Sequence, residues 1–125
     1  MPNRDKTVVL VVEDEPLIMM DAMQSLEDAG FEVVDAYDVE HALVRLGERP
    51  DIGAVFTDVN MPGRFDGVQL ARMVNEQRPD VVIIVTSGAM KVHASDLPQG
   101  GRFIPKPYRG EHVVRLIDEL VGGAT

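Results

Sequence analysis

Five short apolar runs are spaced along the chain. Most of the stretches between them carry apolar residues at every third or fourth position, the signature of strands alternating with helices. Residues 7–12 are continuous and β-branched, as a strand buried on both faces requires. Residues 31–36, 52–57, 81–85 and 101–105 read as four more strands, and the proline in the last assigns it to an edge. The first helix opens at Glu13-Asp14-Glu15-Pro16, where Asp14 or Glu15 caps and Pro16 suits the first turn. Ile18, Ala22, Leu26 and Ala29 recur at helical spacing before Gly30 stops it. Residues 38–46 form a second helix with Asp38 as cap and Gly47 near its end. Asp66 caps a third that presents Val68, Ala71 and Val74 and stops before Pro79. The last helix, residues 111–121, shows Val113, Val114, Leu116, Ile117 and Leu120 on one face, and residues 122–125 read as a frayed end. Between residues 88 and 100, glycines and Pro98 leave room for one ragged turn around Val92 to Asp96. This alternation predicts an α/β fold with a parallel sheet covered on both faces and right-handed crossovers.

In such a sheet, ligands bind beyond the carboxyl ends of the strands. Glu13 and Asp14 follow the first strand, Asp58 the third, Thr86 and Ser87 the fourth and Lys106 the fifth, so all four sets meet at one edge. Taken singly, each has a plain structural use. The acids at 13–15 suit a helix N-terminus, Asp58 suits a turn, Thr86 a cap, and Lys106 between two prolines a solvated turn. Their convergence asks for more. Three acids at one edge raise one another's pKa values, and a hard divalent cation such as magnesium, which takes carboxylates and phosphate oxygens, relieves this. A hydroxyl and an ammonium beside it are what a phosphoryl group needs. Asp58 then reads as a nucleophile that carries phosphate as an acyl phosphate.

Five motifs in order, Val11-Val12-Glu13-Asp14-Glu15-Pro16, Thr57-Asp58-Val59-Asn60-Met61-Pro62, Asp66-Gly67, Val85-Thr86-Ser87-Gly88 and Phe103-Ile104-Pro105-Lys106-Pro107-Tyr108, resemble the receiver domain of two-component response regulators over about residues 7–121. The resemblance implies a flavodoxin-like five-stranded sheet in the order 2-1-3-4-5, here with a fourth helix that is short or irregular. It implies Asp58 as phosphoacceptor from a sensor histidine kinase or histidine phosphotransfer protein. It also implies Mg2+ held by Asp14 and Asp58, by the Asn60 carbonyl and by Glu13 through water. Thr86 looks like the switch hydroxyl, Lys106 the phosphate-binding lysine, Phe103 the aromatic that repacks, and Lys106-Pro107 the family's cis peptide. The chain departs from the chemotaxis-type pattern in a loop lengthened at Gly63-Arg64-Phe65 and in Ser87. Its largest departure is the broken segment before the fifth strand, because many members use the fourth helix, fifth strand and fifth helix as their output and dimerisation face. Asn60 and Gly88 stand where members tune phosphate lifetime.

Bulk properties narrow the field. A chain of 125 residues is one domain, and the whole of residues 1–125 is read as a single receiver. Without cysteine, disulfide and thiolate chemistry are excluded. A net charge of −9 disfavours nucleic acid, which is bound by neutralising phosphates. No apolar run approaches a membrane span, and residues 1–6 lack the apolar stretch of a signal peptide, which fits a cytoplasmic protein. The opening Met1 favours a natural N-terminus. No output domain follows, which leaves a stand-alone regulator or the receiver of a longer protein such as a hybrid kinase. His41, His93 and His112 lack metal-ligand spacing and read as surface residues, and the methionines, Met19, Met20 and Met23 among them, as core filler. An aspartyl-phosphate phosphatase would place its nucleophile in a D-x-D arrangement after the first strand, where Glu13-Asp14-Glu15 stands instead. A nucleotide-binding module would carry a glycine-rich loop there, and a partner-binding receiver without phosphate would not need the full residue set. The expectation is therefore a phospho-accepting switch rather than an enzyme, with its output partner unread.

Overall fold

The computed structural model describes residues 7–61, 63, 65–88 and 92–122. The polar start at 1–6, Pro62 and Arg64 of the lengthened loop, residues 89–91 of the broken segment and residues 123–125 of the frayed end lie outside it. Elements run β1 (Val8–Val12), α1 (Pro16–Asp28), β2 (Glu32–Ala36), α2 (Val39–Glu48), β3 (Ile52–Asp58), α3 (Gly67–Gln77), β4 (Val82–Ser87), β5 (Arg102–Pro105) and α4 (Gly110–Gly122). The strands form one parallel sheet, as their alternation with helices predicts, in the order β2-β1-β3-β4-β5 that the resemblance implies. Among the described residues, the β4–β5 connection carries only a 3-10 turn at Ala94–Asp96.

Alternation along the strands divides the core in two. Leu10, Val12, Val55, Ile83 and Val85 face α2 and α3, whereas Val9, Val11, Phe56, Ile84 and Ile104 face α1 and α4. Central strand β1 is buried at every position, which is why its sequence is uniformly apolar.

Helix boundaries follow local hydrogen bonding. The Asp38 carboxylate accepts the His41 amide at 2.7 Å. Asp66 and Gln69 form a reciprocal capping box at the start of α3, with bonds of 2.9 and 2.8 Å. Helix α1 ends in a Schellman motif: Gly30 has φ +99°, its amide reaches Glu27 O at 3.0 Å, and the Phe31 amide reaches Leu26 O at 3.1 Å. Arg78 ties the opposite end of the molecule together, its guanidinium donating to the carbonyls of Leu46, Arg49, Pro50 and Ile52 at 2.6–3.3 Å. Arg72 on α3 reaches the Asp96 carbonyl at 3.0 Å and anchors the turn that stands in for a helix.

Three expectations need correction. β4 starts at Val82 and runs through Ser87, so Thr86 and Ser87 lie inside the ladder, opposite Asp58 and Pro105. α2 runs through Gly47 to Glu48, two residues past the expected end at Leu46. On α1, Ala22 and Leu26 are buried and Ala29 packs against the core as expected, but Met19 takes the place of Ile18 and Met20 is 64% exposed rather than core.

Candidate functional site

Asp58 is the last residue of β3, held at the edge where β1, β4 and β5 also end. Its carboxylate is buried yet fully engaged. Oδ2 accepts Lys106 Nζ at 2.8 Å, and Oδ1 accepts the Asn60 amide at 3.1 Å. The Lys106 backbone amide extends the β4–β5 ladder to Ser87 O at 3.1 Å, which aims its side chain across the edge. The bond between Lys106 and Pro107 is cis.

Glu13 is also buried. Its amide continues the β1–β2 ladder to Ala36 O at 2.9 Å, and its Oε2 accepts the Glu15 amide at 3.1 Å. Glu15 occupies the N-cap position of α1 without a side-chain bond of its own. Lys106 Nζ stands 3.7 Å from Glu13 Oε1. One ammonium therefore faces Glu13, Asp14 and Asp58, whose ligand atoms lie within 4.8 Å of one another. Loss of water raises the Glu13 pKa to about 7; the Glu15 amide opposes this and the Asp58 charge adds to it. Burial works against the Lys106 ammonium, but its hydrogen bond to Asp58 and the surrounding carboxylates outweigh it, and its pKa is raised. This donor set, oxygen only and with excess negative charge, fits a hard divalent cation.

Thr86 sits beside Asp58 in the β3–β4 register. Its Oγ is buried and, among the described residues, has no hydrogen-bond partner. Phe103 pairs with Val85 and packs, partly buried, on the α2–α3 side. Strand alternation thus sets Phe103 and Thr86 on opposite faces of the sheet. Asn60 follows β3 with its side chain exposed.

Two features of the site escaped the sequence. Tyr108 packs edge-on against Phe56 with ring centroids 5.2 Å apart, and burial, with the Glu13, Asp21 and Asp58 charges, pushes its hydroxyl up to about 12. With Leu17, Ile18, Asp21, Lys106 and Pro107 it lines a groove of about 640 Å3 beside the acidic edge. Leu17 is 80% exposed at its rim. The second is Gly67, which begins α3 with its amide on Val59 O at 3.0 Å. The Asp66-Gly67 dipeptide signalled the cap but not this contact. His41 packs against exposed Tyr37 with the rings tilted by 46°, and none of the three histidines joins the acidic cluster.

Comparison with known proteins agrees with this geometry. Residues 9–118 match the family described as the response regulator receiver domain. The chain is 30% identical to the response regulator receiver protein CpdR of Brucella abortus over 116 residues, 90% of this chain and 95% of that one. It is also 30% identical to the nitrogen assimilation regulatory protein NtrX of Azorhizobium caulinodans, covering 90% of this chain but 26% of that longer one. The crystal structure of a response regulator receiver protein from Sinorhizobium medicae superposes with a TM-score of 0.89 at 25% identity, covering 97% of this chain and 98% of the other. Among the described residues, no helix is long and apolar enough to cross a membrane. A doubly wound sheet that gathers these acids, a hydroxyl and a lysine at one edge, together with a family match along nearly its whole length, makes the chain a receiver domain of the two-component response regulator family.

Proposed function

We propose that this receiver is a cytoplasmic phosphorylation switch, one domain over residues 1–125, that takes a phosphoryl group on Asp58 from a histidine kinase or histidine phosphotransfer protein. An Asp58 oxygen forms the new bond to phosphorus as the phosphorus–nitrogen bond of the donor histidine breaks, and the released imidazole takes up a proton. Lys106, already on Asp58 Oδ2, moves its charge to the phosphoryl oxygens. The protein then catalyses only its own phosphorylation and loss of phosphate, which is regulation rather than turnover of a separate substrate.

The observation that carries this reading is the Thr86 hydroxyl. A buried hydroxyl without a partner costs about 1–3 kcal/mol, and this one stands next to Asp58. A phosphoryl oxygen on Asp58 would supply the missing acceptor, drawing Thr86 inward and letting Phe103 repack on the far face. Because the two side chains lie on opposite faces, that coupling must run through the β4–β5 backbone.

Magnesium fits the residues present: Asp14 and Asp58 would bind it directly, with the Asn60 carbonyl, and Glu13 through water. Bound there, it would neutralise charge on the phosphoryl oxygens. The exposed apolar pair Leu17 and Met20 suits the surface of a donor helix arriving beside Asp58.

Intact-protein mass after incubation with acetyl phosphate tests the reading. A phosphate-sized gain that requires magnesium and vanishes in Asp58→Asn is expected. Labelled phosphate still appearing on Asp58→Asn protein would sink the acceptor assignment.

A further inference from the structure

The start of α3 meets the phosphoacceptor more closely than any cap requires. Gly67 is buried, and a Cβ added to it would stand 2.9 Å from the Asp58 carbonyl carbon, 2.9 Å from Val59 Cα, and closer still to the Asp58 carbonyl oxygen. All three are backbone atoms, which no rotamer change can move aside. Carbon atoms pack favourably at about 3.5–4.0 Å. A methyl group here therefore forces a displacement on the order of 1 Å. The φ of Gly67 lies outside the left-handed region, so any residue could adopt its conformation, and space is what excludes a side chain.

The peptide it abuts is also held by hydrogen bonds on both of its polar atoms, with a third just beyond it. Thr57 Oγ donates to Asp58 O at 2.9 Å, the Val59 amide donates to Thr86 O at 2.9 Å, and Val59 O accepts the Gly67 amide at 3.0 Å. Helix α3 is fixed in turn by its capping box and by buried Leu70, Ala71 and Val74. With α3 immobile, part of any displacement falls on Asp58 itself.

We infer that Gly67 is a positioning residue for Asp58: its bare Cα lets α3 close onto the Asp58-Val59 peptide and sets the direction of the carboxylate. The consequence for phosphotransfer rests on the proposed role of Asp58, whereas the positioning does not. A misplacement of about 1 Å can lower a rate by roughly a hundredfold. Gly67→Ala should therefore slow magnesium-dependent phosphorylation by acetyl phosphate by about 10- to 100-fold while α3 persists.

The test compares Gly67→Ala with Asp66→Ala, which loses the cap but adds no atom beside Asp58. Rates are normalised to folded protein, and a Gly47→Ala background, where a Cβ meets nothing within 4 Å, supports the fold if Gly67→Ala is unstable. The amide resonance of Asn60, which bonds Asp58 Oδ1, gives a second readout in metal-free, unphosphorylated protein. Positioning predicts a shifted Asn60 amide and slow phosphorylation in Gly67→Ala, with neither in Asp66→Ala. An Asn60 resonance unmoved in Gly67→Ala overturns the inference, as does a rate within twofold of wild type or an equal slowing in Asp66→Ala. Absence of phosphate on the wild type fails the phosphoacceptor reading instead, and the Asn60 shift still decides the role of Gly67.

Discussion

Glu13→Gln isolates the electrostatic cost of the acidic edge. In metal-free protein, Glu13 ionises near pH 7 rather than near 4.5. A group whose pKa rises on folding stabilises the fold while it is protonated, and that contribution disappears as pH climbs through the folded value. The stabilising effect is whole below about pH 4.5 and gone above about pH 8. Each pH unit between the two values is about 1.4 kcal/mol, so the span from 4.5 to about 7 corresponds to roughly 3 kcal/mol as an upper bound. Glutamine keeps the shape and the acceptor for the Glu15 amide while removing the charge. Urea unfolding in EDTA should show Glu13→Gln more stable than wild type by about 1–3 kcal/mol at pH 8 and nearly equal at pH 4. Comparing the two proteins at each pH cancels the titration of acids that do not interact with Glu13. Millimolar magnesium should shrink or reverse the difference at pH 8, since the wild type keeps a carboxylate for the ion. Equal stability at pH 8 in EDTA, or a gap that narrows as pH rises, would refute the assignment of a strained charge to Glu13.

Four other outcomes follow from the same geometry. Thr86→Val replaces the unpartnered hydroxyl by a methyl and should stabilise the unphosphorylated protein by about 1 kcal/mol, while phosphorylation no longer alters its NMR spectrum at β5; destabilisation instead would mean the hydroxyl has a partner. Arg78→Ala strips donors from four carbonyls and should cost about 2–4 kcal/mol in urea unfolding, with Arg78→Lys recovering less than half because an ammonium cannot span the fork. Leu17→Glu with Met20→Glu should leave Tm and the acetyl phosphate rate unchanged but slow transfer from a phosphohistidine protein severalfold; equal transfer would remove α1 from the docking surface. Gly47→Ala lies on an exposed turn of α2 with open space around it and should stabilise by about 0.5–1 kcal/mol, read as a higher Tm.

Much of the architecture was legible because buried parallel strands are written as unbroken apolar runs. Such runs have readable ends, and the residues of the candidate site lie at or just past those ends. That the described residues between β4 and β5 carry only a 3-10 turn was legible for a related reason: glycines and Pro98 leave little room for a regular helix. What the sequence hid is non-local. On α1, Met19 rather than Ile18 is buried with Ala22 and Leu26, because both residues are apolar and only the packed partner selects between them. The four carbonyls of Arg78 come from residues 26–32 positions away. Gly67 reads only as the residue after the Asp66 cap, and nothing local reveals that the Asp58 backbone lies across from its Cα.

Where this chain breaks the rules of satisfied burial is itself informative. Away from the active edge, the boundaries of α2 and α3 carry side-chain caps, α1 closes on a Schellman motif, and Arg78 is saturated with acceptors. At the edge, a buried glutamate holds its proton up to about pH 7 and a buried hydroxyl has no partner among the described residues. Each is a defect of about 1–3 kcal/mol, against a typical total stability of about 5–15 kcal/mol. A packed core would remove both by substituting glutamine and valine, and neither substitution needs any backbone change. That both defects stand together around Asp58, and that a divalent cation and a phosphoryl group would each resolve one of them, is the physical case for reading this edge as a site prepared for ligands it binds in the course of signalling.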